Sequence, residues 1–173
     1  MSKFVSKVLY WVAGFLPCKI IWDGEHPYLE RYYLFGLGKD GRLFRAYLHR
    51  FVASDPDRGV HDHPWKLAVS LVLTGGYFEE RLQDGKVVTR RVRPLTLNVI
   101  RGSDFHRVVL PEGKNAWSLF CHTGWVKGWG FMRPEGAENV LQYQAHKTDT
   151  QIDPRQWHRT AHPGRKEANR QAA

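Results

Sequence analysis

Gly59-Val60-His61-Asp62-His63-Pro64-Trp65, followed by an apolar run over residues 67–73 and the pair Gly75-Gly76, decides how this chain is read. Two histidines one residue apart face the same way in an extended chain, because side chains alternate sides along a strand. Both imidazoles can then reach one cation. Imidazole is a common metal ligand and suits iron, zinc, copper and nickel. A bare His-x-His also occurs as two polar residues in a turn. The strand and glycine turn that follow favour a metal site here.

Working outward, the loop Ser54-Asp55-Pro56-Asp57-Arg58-Gly59 carries several turn formers and leads into the histidines. Upstream, residues 28–35 and 43–52 read as a hairpin around Lys39-Asp40-Gly41. On the second of these strands His49 shares a face with Tyr47 and Phe51, a structural position that is also compatible with lying near a metal site. Downstream, residues 77–82 and 87–92 flank Gln83-Asp84-Gly85-Lys86, the clearest hairpin signal in the chain. Further strands are expected over 95–100, 107–110, 116–122 and 126–132, and a short helix over 137–145. Short strands separated by turn residues predict an all-β antiparallel sandwich or barrel.

The 173 residues suit one domain, over residues 1–146, with a basic, flexible tail over 147–173. In the tail His158 and His162 are four apart, but Pro163 and the polar surroundings argue against a helical metal pair. Near the N-terminus, Phe4, Val8, Trp11, Val12 and Phe15 recur at helical spacing. They predict an amphipathic helix whose apolar stripe packs on the sheet; lying on a membrane surface is the alternative. The same segment has the outline of a signal peptide, but no small-x-small cleavage site follows, and the run is too short to span a bilayer. No transmembrane segment is expected.

The formal net charge is +9, which favours anionic partners. Arg90, Arg91 and Arg93 form one cluster, and Lys147, Arg155, Arg159, Arg165, Lys166 and Arg170 load the tail. A solvated surface explains them more simply than a nucleic-acid site. Cys18 and Cys121 are the only cysteines and form no C-x-x-C pair, so a reducing cytoplasm is the default location. A Walker A loop, a G-x-S-x-G elbow and a dinucleotide fingerprint are absent from the sequence.

The first histidine motif, the strand ending Val72-Leu73-Thr74-Gly75, and the later Gly102-Ser103-Asp104-Phe105-His106 together resemble the two signature motifs of the cupin superfamily. The resemblance implies a cupin-type double-stranded β-helix, a small jelly roll, with His61, His63 and His106 converging on one divalent transition metal. In the family a glutamate follows the second histidine; here that spacing falls on Leu67, between Lys66 and Ala68. The site is therefore similar to the three-histidine variant of the thiol-dioxygenase branch, unless Glu79 or Glu80 takes the glutamate's place. Residues 28–135 further resemble bacterial and phage cupin-like proteins through Tyr28-Leu29-Glu30-Arg31-Tyr32, His49-Arg50-Phe51, His61-Asp62-His63-Pro64-Trp65, Gly75-Gly76-Tyr77, His106-Arg107 and Trp129-Gly130-Phe131. That likeness carries no reaction with it.

The functional expectation is a mononuclear enzyme, an Fe(II) oxygenase of a small polar or anionic molecule, with zinc, nickel or manganese as other metals. Arg50, Arg107 and Trp65 are candidates to hold the substrate, and Tyr77 and His122 to move protons. Two alternatives stay open. One is a cupin-type isomerase, epimerase or lyase using the metal as a Lewis acid. The other is a binding module whose tail contacts nucleic acid. The family resemblance also makes a homodimer plausible.

Overall fold

The computed structural model describes residues 2–39, 42–135, 140–146 and 156–172. Helix α1 (Ser2–Ala13) is followed by β1 (Cys18–Asp23), β2 (His26–Leu37), β3 (Phe44–Phe51), β4 (Val60–His61), β5 (Leu67–Thr74), β6 (Tyr77–Gln83), β7 (Lys86–Val92), β8 (Leu97–Arg101), β9 (His106–Val109), β10 (Ala116–Thr123), β11 (Gly130–Glu135) and β12 (Val140–Ala145). They form two six-stranded sheets, ordered β1-β2-β3-β10-β5-β8 and β12-β11-β4-β9-β6-β7. Every pairing is antiparallel. This is the antiparallel sandwich the strand spacing predicts, consistent with the jelly roll that the family resemblance implies.

Period-2 patterning makes the sheets. In β5, Ala68, Ser70, Val72 and Thr74 are buried while the intervening residues are not. Tyr47, Trp65, Ala68, Ile100 and Phe120 form one packed cluster between the layers. Val72, Tyr77, Val92, Val108 and Ala116 form another.

Four local expectations change. β1 is a strand that the Trp22-to-Pro27 turn signals hid; it pairs with β2 in register Cys18↔Tyr32. The last strands also differ. Residues 140–145 are β12 on the sheet edge rather than helix, and the strand expected at 126–132 is shifted to Gly130–Glu135, because the two pair with each other. Residues 137–139 lie outside the described set, as do Asp40 and Gly41 of the first hairpin turn.

The third change concerns α1, which docks by the opposite face. Leu9, Tyr10, Ala13 and Leu16 pack on Cys18, Tyr32, Leu48 and Trp117. Phe4, Val8, Trp11, Val12 and Phe15, the stripe expected to be buried, point to solvent. Both faces are apolar, so helical spacing identifies a stripe without saying which side the sheet takes.

Fourth, residues 156–172 fold back onto the domain instead of trailing as a flexible tail; residues 147–155 are outside the described set. Two 3-10 turns, Trp157–Arg159 and Gly164–Lys166, brace the return. Pro163 bridges to Pro17, and the Cys18 N–H donates to the His162 carbonyl at 2.9 Å. A Cβ at Gly164 would sit 2.8 Å from Tyr32 Cε1 and 2.9 Å from the Ala13 carbonyl, so only glycine passes here without a shift.

The end of the chain is pinned by a buried ion pair. Arg50 Nη1 lies 3.2 Å from Glu30 Oε1, and both residues are buried. Arg50 also donates to the carbonyls of Gln171 (2.9 Å) and Ala172 (2.6 Å), and the Gln171 N–H donates to Glu30 Oε1 at 2.8 Å. Burying two charges is costly unless other hydrogen bonds support them, and the returning segment supplies three, to Arg50 Nη1, Arg50 Nη2 and Glu30 Oε1. No apolar periodicity announces such a segment, because polar groups hold its end and, among the described residues, only its Trp157 and His158 rings pack on the sheet aromatics.

Candidate metal centre

Strand β4 is two residues long and is held between β11 and β9, with His61 opposite Phe131 on one side and His106 on the other. Gly59, just before it, has φ +85°, and a Cβ there would lie 2.2 Å from the Met132 carbonyl oxygen. Glycine therefore lets the loop press against β11 and sets the entry of β4. Asp62, between the two histidines, points away from them. It accepts the Gly130 N–H at 2.7 Å and pairs with Lys127. The alternation read from the sequence thus holds: Asp62 anchors the backbone, and His61 and His63 turn to the other side.

There they meet His106. The ligand nitrogens of His61, His63 and His106 all lie within 4.8 Å of one another. His63 Nε2 and His106 Nε2 are 2.7 Å apart. Burial pushes the pKa of His61 down to about 3, helped by the charge of His106 and Arg58. Burial, with His61 and His106, also drives His63 well below the usual histidine range. Both are therefore neutral imidazoles, the form that binds metal.

Glu79 sits behind the cluster. It is 0% exposed, and its Oε1 accepts the His106 Nδ1–H at 2.8 Å. That bond leaves Nε2 as the nitrogen facing His61 and His63. Arg81 Nε (2.9 Å), Arg90 Nε (2.7 Å) and Asn98 Nδ2 (2.8 Å) also donate to Glu79. Burial alone would raise its pKa, but His106, Arg81 and Asn98 outweigh burial and hold the carboxyl below the usual carboxylate range. Glu79 thus orients His106 and is not itself among the three residues that could hold a metal ion. Glu80 lies 3.7 Å from Arg107 in a more exposed ion pair.

The triad opens into a cavity of about 250 Å³ between the sheets, walled largely by apolar and aromatic side chains. Trp65 lines it and stacks on His63, with ring centroids 4.3 Å apart and planes at 14°. Tyr77 lines it too, and its hydroxyl accepts from Asn98 Nδ2 at 3.3 Å. Burial pushes the Tyr77 phenol up to about 12, so it stays protonated.

Three expected site residues lie elsewhere. Arg50 is on the opposite face of β3, committed to Glu30 and the chain terminus. Arg107 pairs with Asp57 and Glu80 and is not part of the cavity wall. His122 stacks on Trp65 at 4.5 Å and donates Nδ1–H to the Thr123 carbonyl at 2.7 Å, off the cavity wall. Burial pushes it down to about 4. Sequence reading overlooked Arg31, Asp55 and Ser118, which line the cavity, and His49 joins them there. Their signal was register: once β2 and β3 are paired, Arg31 falls opposite His49.

No protein-family model matches the chain, and no curated protein sequence matches it. Solved structures do match in fold. A cupin-2 domain protein from Rhodospirillum rubrum superposes with TM-score 0.53 at 13% identity, covering 72% of this chain and 78% of that one. The Fe(II)-bound enzyme HppE, solved with the alternative substrate (S)-1-HPP, matches with TM-score 0.51 at 11% identity over 62% of this chain and 55% of its own. The DMSP lyase DddQ from Ruegeria pomeroyi matches with TM-score 0.50 at 18% identity over 70% of this chain and 63% of its own. This chain therefore spans little more than half the length of HppE. At these identities the likeness establishes a cupin-type fold, which hosts both an Fe(II) enzyme and a lyase, and does not fix a reaction.

Replacing Glu79 by Gln keeps the shape but removes the charge that orients His106. Metal affinity, measured by competition with a chelator, is expected to fall about 10–100-fold; an unchanged affinity contradicts the positioning role of Glu79.

Proposed function

We propose that this protein is a mononuclear metal-dependent enzyme, an Fe(II) oxygenase, acting on a small molecule inside the cavity. The observation that carries this reading is the convergence of His61, His63 and His106 at a largely apolar cavity, with Glu79 bracing His106. Three imidazoles suit Fe(II), with zinc, nickel and manganese as the other ions the donor set admits. When bound, the ion supplies Lewis acidity and coordination positions left open by only three protein ligands.

The chain's own groups do the rest. Trp65 fixes the ring plane of His63 and forms one wall, so a substrate is held against the triad and water is excluded. The Tyr77 hydroxyl, protonated and held by Asn98 on the cavity wall, is a proton donor for this chemistry. That donor also supports a second reading, a Lewis-acid lyase or isomerase, in which Tyr77 protonates a leaving or enolate oxygen.

No helix among the described residues is long and apolar enough to cross a membrane. The free thiols Cys18 and Cys121 fit work in a reducing cytoplasm. Of the tail's cations, Arg170 is turned inward onto the Tyr10 ring and the Tyr32 hydroxyl.

Mass spectrometry of small-molecule extracts incubated with the Fe(II)-loaded protein checks the reaction class. The expected outcome is a product that fails to form without air and in the His61→Ala/His63→Ala variant. A product that forms equally well without air contradicts the oxygenase and selects the Lewis-acid reading.

A further inference from the structure

We propose that Arg31, His49 and Ser118 form an oxyanion-binding row in the cavity, so that the substrate carries a carboxylate- or phosphate-type group. The inference rests on reading the cavity as a substrate pocket. It does not depend on which metal, if any, the triad holds.

The three residues come from adjacent strands and face one another across the sheet: Arg31 on β2 pairs with His49 on β3, and His49 pairs with Ser118 on β10. All three line the cavity with the histidine triad. Arg31 Nε donates to His49 Nε2 at 3.0 Å, which fixes the guanidinium in place. The Tyr47 ring lies under it, 5.4 Å from centroid to Cζ.

Arg31 combines a place on the cavity wall with the lack of a carboxylate partner among the described residues. Arg50, Arg58, Arg81, Arg90 and Arg107 each form an ion pair with a carboxylate. Arg31 forms none among the described residues. Tyr47, Tyr28 and Arg45 act on its charge, and none of them is a carboxylate. Asp55 lines the same cavity, but its Oδ2 accepts the Val108 N–H at 2.8 Å. Burying a cation without an anion is expensive. A guanidinium fork matches a carboxylate or phosphate group. Ser118 supplies a second unmet group: its Oγ is buried and has no hydrogen-bond partner among the described residues. A substrate oxyanion placed between them satisfies both.

The test is thermal stabilisation of the protein by inorganic phosphate and, separately, by succinate. Wild type is expected to be stabilised by one of them, and which one distinguishes the phosphate source from the carboxylate source. Arg31→Met is expected to weaken that binding about tenfold or more, without lowering the midpoint in the absence of anion, since it removes a half-buried charge that has no carboxylate partner. The His61→Ala/His63→Ala variant is expected to keep the anion effect, which separates this row from the triad. If neither anion stabilises wild type, or Arg31→Met responds as wild type does, the proposal is overturned. An anion effect lost with the histidines but kept in Arg31→Met would overturn it as well.

An independent observation concerns α1. Phe4, Trp11 and Phe15 are 72%, 67% and 50% exposed, and the rings of Trp11 and Phe15 meet edge to face at 5.1 Å. Lys3 and Lys7 flank this face, Arg165 lies over the Phe15 ring at 4.8 Å, and the helix contains no acidic residue. Exposed aromatics rimmed by cations are complementary to an anionic lipid surface, and we infer that α1 lies on one. Co-sedimentation with phosphatidylglycerol-containing vesicles is expected for wild type. It should be lost in Trp11→Ser/Phe15→Ser and absent with pure phosphatidylcholine. Wild type left in the supernatant overturns this inference, and so does a solution mass that halves in the variant, which would assign the face to a second copy of the chain.

Discussion

A single buried carboxylate ties the site to the fold. Glu79 on β6 accepts from His106 on β9, Arg90 on β7 and Asn98 on β8, as well as from Arg81 on its own strand. Strand β8 belongs to the sheet opposite β6, β7 and β9. The same hydrogen bonds that orient His106 therefore also fasten the two layers together beside it. Arg81 and Arg90 both donate to the Asn98 side-chain oxygen, closing the network. Such networks are rigid when every member is satisfied and costly when one is lost, so the geometry of His106 and the closure of the sandwich are coupled.

The charge distribution follows from this arrangement. The carboxylate stands behind His106, outside the cavity, and the triad itself offers neutral His61 and His63 toward it. Inside the cavity Arg31 adds a positive charge with no acidic partner. A bound divalent ion would make the chamber more cationic still. The two fully buried glutamates are already committed: Glu79, between the sheets, to His106, Arg81, Arg90 and Asn98, and Glu30, on the opposite face of β2 from Arg31, to Arg50. A complementary negative charge is left for the ligand to bring.

Strand alternation carried much of this from the sequence. His61 and His63 share a side and Asp62 takes the other because the chain is extended there, and the strand and turn spacing gave the antiparallel sandwich. What alternation cannot supply is which face of an element meets the core. On α1 both faces are apolar, so the stripe through Phe4, Trp11 and Phe15 was assigned inward when Leu9, Tyr10 and Ala13 do the packing. Arg50 and His49 are neighbours on β3, and only pairing with β2 shows that His49 faces the cavity while Arg50 faces Glu30. His122 has the inward orientation of Ser118 and Phe120, but Trp65 stacks over it. The return of residues 156–172 was unreadable for a different reason: backbone carbonyls and a buried arginine hold it, and such contacts leave no periodic trace.

The central claim is that His61, His63 and His106 hold one metal ion. Elemental analysis of protein purified without a histidine tag, compared with the His61→Ala/His63→Ala variant, tests it most directly. The account predicts about one equivalent of a transition metal in the wild type, lost in the variant. Wild-type protein that holds no metal after incubation with Fe(II), Zn(II) or Mn(II) would contradict it.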